Sequence, residues 1–494
     1  MNDAVAAFLS GLPFEPDPFQ IEALEAIAAG RTVVVTAPTG AGKTLVADGA
    51  ISLAMERGVR AFYTTPIKAL SNQKYHDLAA AHGAAQVGLL TGDRVINGDA
   101  PIVVMTTEVL RNMIYEGSRA LIGLGVVVLD EVHYLADRHR GSVWEEVIIH
   151  LERSVPLVCL SATIANAEQF TDWIRSRRGT TDLIVETERP VPLTPMYMWT
   201  DRHHGSSTGT APIFSRSGKA NSAITKMLQK GRGRRQRFGT PRRIDVASEL
   251  AHADLLPAIM FIFSRKGCDD AAHQLAQARL GFTSREDRHV IREIAGAHTA
   301  HLGSDDLGVL GYDSWLHQLE QGVAAHHAGL VPAFKEAVEE LFLKGHLKVV
   351  AATETLALGI NMPARTVVLE SLSKFNGETH ELLRASDFTQ LTGRAGRRGI
   401  DTTGTAIVLH SSYVPFDRVA GIAATGSNPL RSSFAPTYNM TVNLIARYDE
   451  ASAHELLEAS FANFADHERL RHLRVNLDDR RSDLETFRNA AHCS

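Results

Sequence analysis

Apolar residues in this chain fall into short uninterrupted runs. Thr32-Val33-Val34-Val35, Val126-Val127-Val128-Leu129 and Leu157-Val158-Cys159-Leu160 read as parallel strands buried on both faces. Helical stretches lie between them, such as Leu45 to Arg57 and Val143 to Arg153. The alternation resumes at Ala258-Ile259-Met260-Phe261-Ile262-Phe263, Lys348-Val349-Val350-Ala351 and Thr366-Val367-Val368-Leu369. Strands alternating with helices over this span predict two open α/β domains with helices on both sheet faces.

The pattern breaks between the halves. Arg189-Pro190-Val191-Pro192-Leu193-Thr194-Pro195 reads as an extended linker, because proline fixes its own φ and biases the preceding residue toward extended backbone. A Gly- and Ser-rich segment from His203 to Arg243 follows, in part as an insertion or mobile loop. After Asn428 the pattern turns helical, ending in a charge-laced helix, Leu470 to Phe487, with no Gly or Pro stop before Ser494. The chain is therefore expected to be a fragment of a longer protein.

Composition narrows the class. A length of 494 residues exceeds one domain, and 44% hydrophobic with 22% charged residues suits a globular protein. No run approaches the roughly 20 apolar residues of a membrane helix, and Met1 to Ser10 lacks the basic start of a signal peptide. Cys159, Cys268 and Cys493 have no metal-ligand spacing, which suits a reducing cytoplasm better than a disulfide framework or a zinc site. The net charge of −5 says little, but its distribution says more. No acidic residue occurs from Arg202 to Ile244, and Lys226 to Arg243 carries eight Lys or Arg residues. Such a stretch either neutralises phosphates or is a solvated loop kept soluble by charge.

Chemistry enters at Ala37-Pro38-Thr39-Gly40-Ala41-Gly42-Lys43-Thr44, between a strand and a helix opening at Leu45. A P-loop usually begins with Gly where Ala37 stands. The chemistry survives: backbone N–H groups and the helix N-terminus converge on phosphates, Lys43 reaches the outer ones, and Thr44 offers a hydroxyl to Mg²⁺. The strand Val126 to Leu129 then delivers Asp130-Glu131-Val132-His133 at its carboxyl end. Asp130 can hold Mg²⁺ through water, and Glu131 can orient and deprotonate an attacking water. An acidic turn ending a strand is the ordinary alternative, and the P-loop upstream argues against it.

From about Phe14 to Phe464 these motifs resemble those of the superfamily-two helicases of the DExH type. Pro16-Asp17-Pro18-Phe19-Gln20 looks like their adenine-recognising segment, with Gln20 as base reader and Phe14 beside it. Thr65-Pro66-Ile67-Lys68-Ala69-Leu70, Thr91-Gly92-Asp93 and Thr106-Thr107-Glu108 look like the strand-gripping motifs of the first lobe. Ser161-Ala162-Thr163, with His133, is similar to the elements that couple the lobes. In the second lobe, Phe263-Ser264-Arg265, Thr353-Glu354-Thr355 through Gly359-Ile360-Asn361, and Gln390-Leu391-Thr392-Gly393-Arg394-Ala395-Gly396-Arg397-Arg398-Gly399 complete the set. The resemblance places Gly359 and Asn361 with the nucleotide and Gln390 with the catalytic groups. His326-His327-Ala328-Gly329-Leu330, Ala357-Leu358-Gly359-Ile360-Asn361-Met362-Pro363-Ala364 and Pro436-Thr437-Tyr438-Asn439-Met440 are similar to the Ski-like, exosome-associated RNA helicases and their bacterial HelY-type relatives.

The resemblance implies two tandem RecA-like domains: residues 1–190, the ATP-binding lobe, and 246–427, the helicase C-terminal lobe. A linker with a basic insertion occupies 191–245, and 428–494 begins a winged-helix or helical region. It implies a cytoplasmic, monomeric, ATP- and Mg²⁺-dependent 3′-to-5′ helicase acting on single-stranded or 3′-overhang RNA, with nuclease or RNA-decay partners. A motor also needs groups from both lobes at the phosphates, and Arg394 and Arg397 could act as arginine fingers. Backbone-directed contacts from Thr65, Thr107, Thr353 and nearby amides would grip sugar and phosphate without reading sequence. DNA remains a possible substrate, so a DNA-repair helicase of the related branch is one alternative. An ATP-gated nucleic-acid clamp is another, opposed by the intact Lys43, Asp130, Glu131, Gln390, Arg394 and Arg397. The 22 histidines form no metal constellation, and His326 and His327 read as packed or hydrogen-bonded loop residues.

Overall fold

The computed structural model describes residues 2–203, 207–230, 237–357, 362–375 and 379–492. The chain folds into two compact units. One comprises Met1–Ala37, Gly42–Thr187 and Pro429–Ser494, and the other Pro38–Ala41 and Glu188–Asn428.

The first unit is built on β1 (Thr32–Thr36), β2 (Arg60–Thr65), β3 (Val87–Thr91), β4 (Arg94–Ile96), β5 (Ile102–Thr106), β6 (Leu124–Leu129), β7 (Leu157–Ser161) and β8 (Thr181–Val185). Their order is β4-β3-β5-β2-β6-β7-β1-β8, parallel throughout except for the β3–β4 pair. Strands β1, β5 and β7 are buried along their whole length, the physical reason that they read as unbroken apolar runs. Register sets Thr36 opposite Ser161 and Leu129 opposite Cys159. Strands β6, β7 and β1 therefore end side by side, and whatever follows them emerges at one carboxyl edge.

The second unit contains β9 (Leu193–Asp201), β10 (Ser207–Pro212), β11 (Phe238–Gly239), β12 (Ala258–Phe261), β13 (Val323–His326), β14 (Val349–Ala352), β15 (Thr366–Leu369) and β18 (Gly404–Leu409). A separate hairpin pairs β16 (Ser373–Phe375) with β17 (His380–Leu382). The main sheet runs β10-β9-β18-β15-β12-β14-β13, with β11 also on β9, and its five strands from β18 to β13 are parallel. Both units are thus RecA-like α/β folds. The Pro-rich connection is extended, but its second half is sheet: β9 pairs in parallel with β18, more than 200 residues downstream. The basic segment contributes β11 and the helix Ser222–Lys230.

Residues after Pro429 form the helices Tyr438–Arg447, Glu450–Glu458 and Phe461–His492, and they complete the core of the first unit. The Phe461 ring is fully buried, with ring centroids 5.4 Å from both Phe170 and Trp173. The Trp173 indole N–H donates to the Ala459 carbonyl at 2.8 Å. The Asn166 amide exchanges two hydrogen bonds with the Leu430 backbone, at 2.6 and 3.0 Å. Glu145, fully buried in the helix Ser142–His150, accepts from the Phe461 N–H at 2.7 Å and from the Ser432 hydroxyl.

Both of those donors are neutral, so burial pushes the Glu145 carboxyl up from an ordinary 4.5 to about 7. A raised folded-state value means that the protonated carboxyl suits the fold best. Its contribution is fully present below pH 4.5 and is lost as pH rises through about 7. The loss amounts to roughly 3 kcal/mol at most. Glu145→Gln, which keeps an acceptor for Phe461, is expected to flatten the fall in urea stability between pH 5 and pH 8. An equal slope in parent and variant would contradict this placement of Glu145.

Candidate nucleotide and nucleic-acid site

The loop after β1 turns on Gly40 and Gly42, whose φ values of +85° and +87° lie in the left-handed region where only glycine is unstrained. Ala37 needs no such freedom. Its N–H continues the sheet ladder, donating to the Ser161 carbonyl at 3.1 Å, so a methyl group is accommodated where the usual P-loop has Gly. The Ala41 N–H closes a turn onto the Pro38 carbonyl at 3.2 Å, around Thr39 and Gly40. Lys43 folds back, donating from Nζ to the Ala37 carbonyl at 2.7 Å, and Thr44 opens the helix Thr44–Glu56. Gln20 is buried beneath this loop: Nε2 donates to the Gly42 carbonyl at 2.9 Å and Oε1 accepts from the Asp17 N–H at 2.8 Å. Phe14 is 53% exposed.

At the end of β6, Asp130 accepts from the Tyr63 hydroxyl at 2.6 Å and from the Glu131 N–H at 2.9 Å. Burial, and after it the neighbouring Glu131 carboxylate, pushes Asp130 up to about 6 against the Tyr63 hydrogen bond. Glu131 holds φ at +53°, an uncommon conformation for a residue with a side chain. Its Oε2 lies 3.3 Å from His133 Nδ1, and the Ala162 N–H reaches the same nitrogen at 3.4 Å. Burial lowers the His133 value, so the imidazole is neutral at pH 7. This histidine links the acidic turn to Ser161-Ala162-Thr163. The buried Ser161 hydroxyl has no protein partner among the described residues, and Thr163 is partly buried.

The loops that follow β2 and β5 are pinned from within. Thr65 and Thr107 are fully buried; the Thr65 hydroxyl donates to the Ile67 carbonyl at 3.0 Å and pairs with Ser71, while the Thr107 hydroxyl donates to the Thr65 carbonyl at 3.3 Å. Lys68 pairs with Asp93 at 3.0 Å. Asp93 also accepts from Thr91 at 2.9 Å, with Gly92 between them. Pro66 offers its carbonyl to Arg140.

In the second unit, Ser264 caps the helix Arg265–Gln277 by accepting from the Gly267 N–H. The Thr353 hydroxyl lies 2.9 Å from that of Thr355, and Glu354 pairs with Lys374 at 2.8 Å. Gln390 is partly buried on the helix Ala385–Thr392. Arg394 donates to the Ala357 carbonyl at 2.6 Å, and Arg397 forms a two-pronged pair with Asp401 at 2.8 Å. Gly359 and Asn361 lie outside the described residues. His326 and His327, both buried, bond to Glu339 and Asp269 at 2.8 Å. Among the described residues no group of three or more His, Cys, Asp and Glu side chains is placed to hold a metal ion, and no helix is long and apolar enough to cross a membrane. Lys226, Lys230 and Arg237 line a groove of about 470 Å³ beside Trp199, with Arg237 paired to Asp201.

The DEAD/DEAH box helicase family matches residues 17–170, and the helicase conserved C-terminal domain matches 306–399. The probable helicase HelY of Mycobacterium tuberculosis is 51% identical over 472 residues, covering 92% of this chain and 52% of its own length. The chain belongs to the Ski-like DExH helicases. A chloroplastic DExH-box ATP-dependent RNA helicase of Arabidopsis thaliana is 39% identical over 483 residues, covering 88% of this chain and 40% of its own length. The human exosome RNA helicase MTR4 is 36% identical over 469 residues, covering 92% and 44%. The chain spans about half the length of the curated relatives it matches.

Three residues of this DExH helicase chain escape a motif-based reading. Tyr63 lies inside a strand run, Arg140 in a charged turn, and Arg189 in the Pro-rich connection, where it donates to the Ala395 carbonyl at 2.8 Å and to that of Gly393. Nothing local marks them, since each acts on a partner far along the chain. Tyr63→Phe should cost roughly 1.5–3 kcal/mol in urea denaturation at pH 8, where Asp130 is ionised and loses a donor. At pH 5, with Asp130 largely protonated, the loss should be smaller. A cost independent of pH would remove Tyr63 from the support of this carboxylate.

Proposed function

We propose that the chain is the motor of a cytoplasmic, monomeric, ATP-dependent 3′-to-5′ RNA helicase that serves RNA decay alongside a nuclease partner. The observation that supports this most is the adjacency of β6, β7 and β1, which end in Asp130–Glu131, Ser161 and the P-loop. Lys43, Thr44 and the amides of Pro38 to Gly42 (Pro38 itself without a donor) would meet the phosphates at a helix start. Thr44 and Asp130 would hold Mg²⁺: both offer hard oxygen donors, and a buried carboxyl raised to about 6 is one that a cation would relieve. That ion supplies charge neutralisation on the phosphates. Glu131 would take the proton from the attacking water. Gln20 would read the base with its remaining proton and lone pair, and Phe14, half exposed, would pack on it. Gln390, Arg394 and Arg397 would stabilise transition-state charge, with Asp401 setting the Arg397 guanidinium, and Gly359 and Asn361 would join the nucleotide contacts. Ser161, Thr163 and His133 would transmit hydrolysis, and Thr65, Pro66, Lys68, Thr91, Gly92, Thr107, Ser264, Arg265, Thr353 and Glu354 would mark the path of the strand.

RNA is favoured by two relatives whose names describe RNA helicases. A protein distinguishes RNA from DNA where it meets the 2′-hydroxyl. ATP hydrolysis should therefore be stimulated more by single-stranded RNA than by DNA of equal length. Stronger stimulation by DNA would shift the reading to a repair helicase, and no stimulation by either would remove the motor assignment.

A further inference from the structure

Arg140 belongs to none of the motifs above, yet it joins three of them. It sits in the turn after the short helix Val132–Ala136, which starts directly from Glu131. Asp137 shapes that turn, accepting from the backbone N–H groups of His139 and Arg140 at 3.0 and 2.9 Å. From there the Arg140 guanidinium reaches across two loops. Its Nε donates to Glu108 Oε1 at 2.7 Å, and its Nη2 donates to the same oxygen and to the Pro66 carbonyl. Glu108 lies in the first turn of the helix Thr107–Glu116, and Pro66 directly follows β2.

The turn is also fixed from behind. The Ser433 hydroxyl lies 2.9 Å from the Leu135 carbonyl and 2.6 Å from that of Asp137. Gly141 lets the chains close there, since a Cβ on it would sit 2.1 Å from both the Leu135 oxygen and the Ser433 hydroxyl. A shift of the acidic segment therefore reaches Arg140 with little slack. An ammonium group on a single stem cannot match this fork, which spans a carboxylate and a carbonyl at once.

We infer that Arg140 is a positioning residue that carries the state of the hydrolysis segment to the loops bearing Pro66 and Glu108, and so sets the grip on nucleic acid. This rests on the helicase reading. The ion pair is partly exposed, so its value lies in geometry more than in stability.

The test uses the full chain as parent, Arg140→Ala and Arg140→Lys, with ATPase rates measured without nucleic acid and across a titration of single-stranded oligouridylate. Arg140→Ala should raise the half-stimulating oligonucleotide concentration by roughly tenfold or more, about 1.4 kcal/mol of binding. Its unstimulated rate and its KM for ATP should stay within about twofold of the parent, with an unchanged melting temperature. Arg140→Lys should fall between the two. An unshifted half-stimulating concentration would overturn the inference, as would a parallel loss of unstimulated activity or a lowered melting temperature, either of which makes the residue merely structural. A parent that neither RNA nor DNA stimulates would instead remove the helicase reading, and this inference with it.

Discussion

Everything chemical in the first unit follows from one constraint: parallel strands buried on both faces can carry reactive groups only where they end. Strands β1 and β7 expose no residue, so their polar chemistry is displaced to the carboxyl edge. The order β6-β7-β1 then decides which ends are neighbours. Lys43, Asp130 and Ser161 meet there although more than 80 residues separate the first two along the chain. The turns leaving that edge must be tight, which places Gly40 and Gly42 in left-handed conformations and forces the same on Glu131, a side chain that bears the strain at the point of proposed chemistry.

A second dependence runs through the core. The first unit is finished by residues that follow the second in sequence: Phe461 fills the space between Phe170 and Trp173, and Leu430 satisfies Asn166. Burying a ring of that size contributes several kcal/mol, while Glu145 at the same seam opposes part of it as pH rises. The same segment places Ser433 against the turn that carries Arg140. Stability of the first unit and alignment of the loops bearing Pro66 and Glu108 thus share one set of contacts.

Much of this was legible in the sequence, because local pattern and local chemistry agree. The apolar runs at Thr32, Val126, Leu157 and Thr366 became strands, and the loop from Ala37 to Thr44 announced itself by its glycines and lysine. Legibility failed where a distant partner decides. Pro195 looks equally extended in a linker or a strand, and only Gly404–Leu409 makes it sheet. The inward bonds of the Thr65 and Thr107 hydroxyls, to the Ile67 and Thr65 carbonyls, were likewise not legible, since a Thr side chain bonds whichever nearby carbonyl the fold brings to it. Tyr63, Arg140 and Glu145 carried no signal, since each acquires its role from residues more than 30 positions away.

The central claim is that three neighbouring strand ends make one nucleotide site with separable duties for binding and chemistry. Calorimetric titration of Mg²⁺–ATP into the parent chain, Lys43→Ala and Glu131→Gln, paired with hydrolysis rates, tests it directly. Lys43→Ala should weaken binding and hydrolysis together. Glu131→Gln should bind ATP nearly as the parent does while turnover falls by roughly 10² or more, the scale for losing a positioned base. Turnover in Glu131→Gln equal to that of the parent would contradict the account.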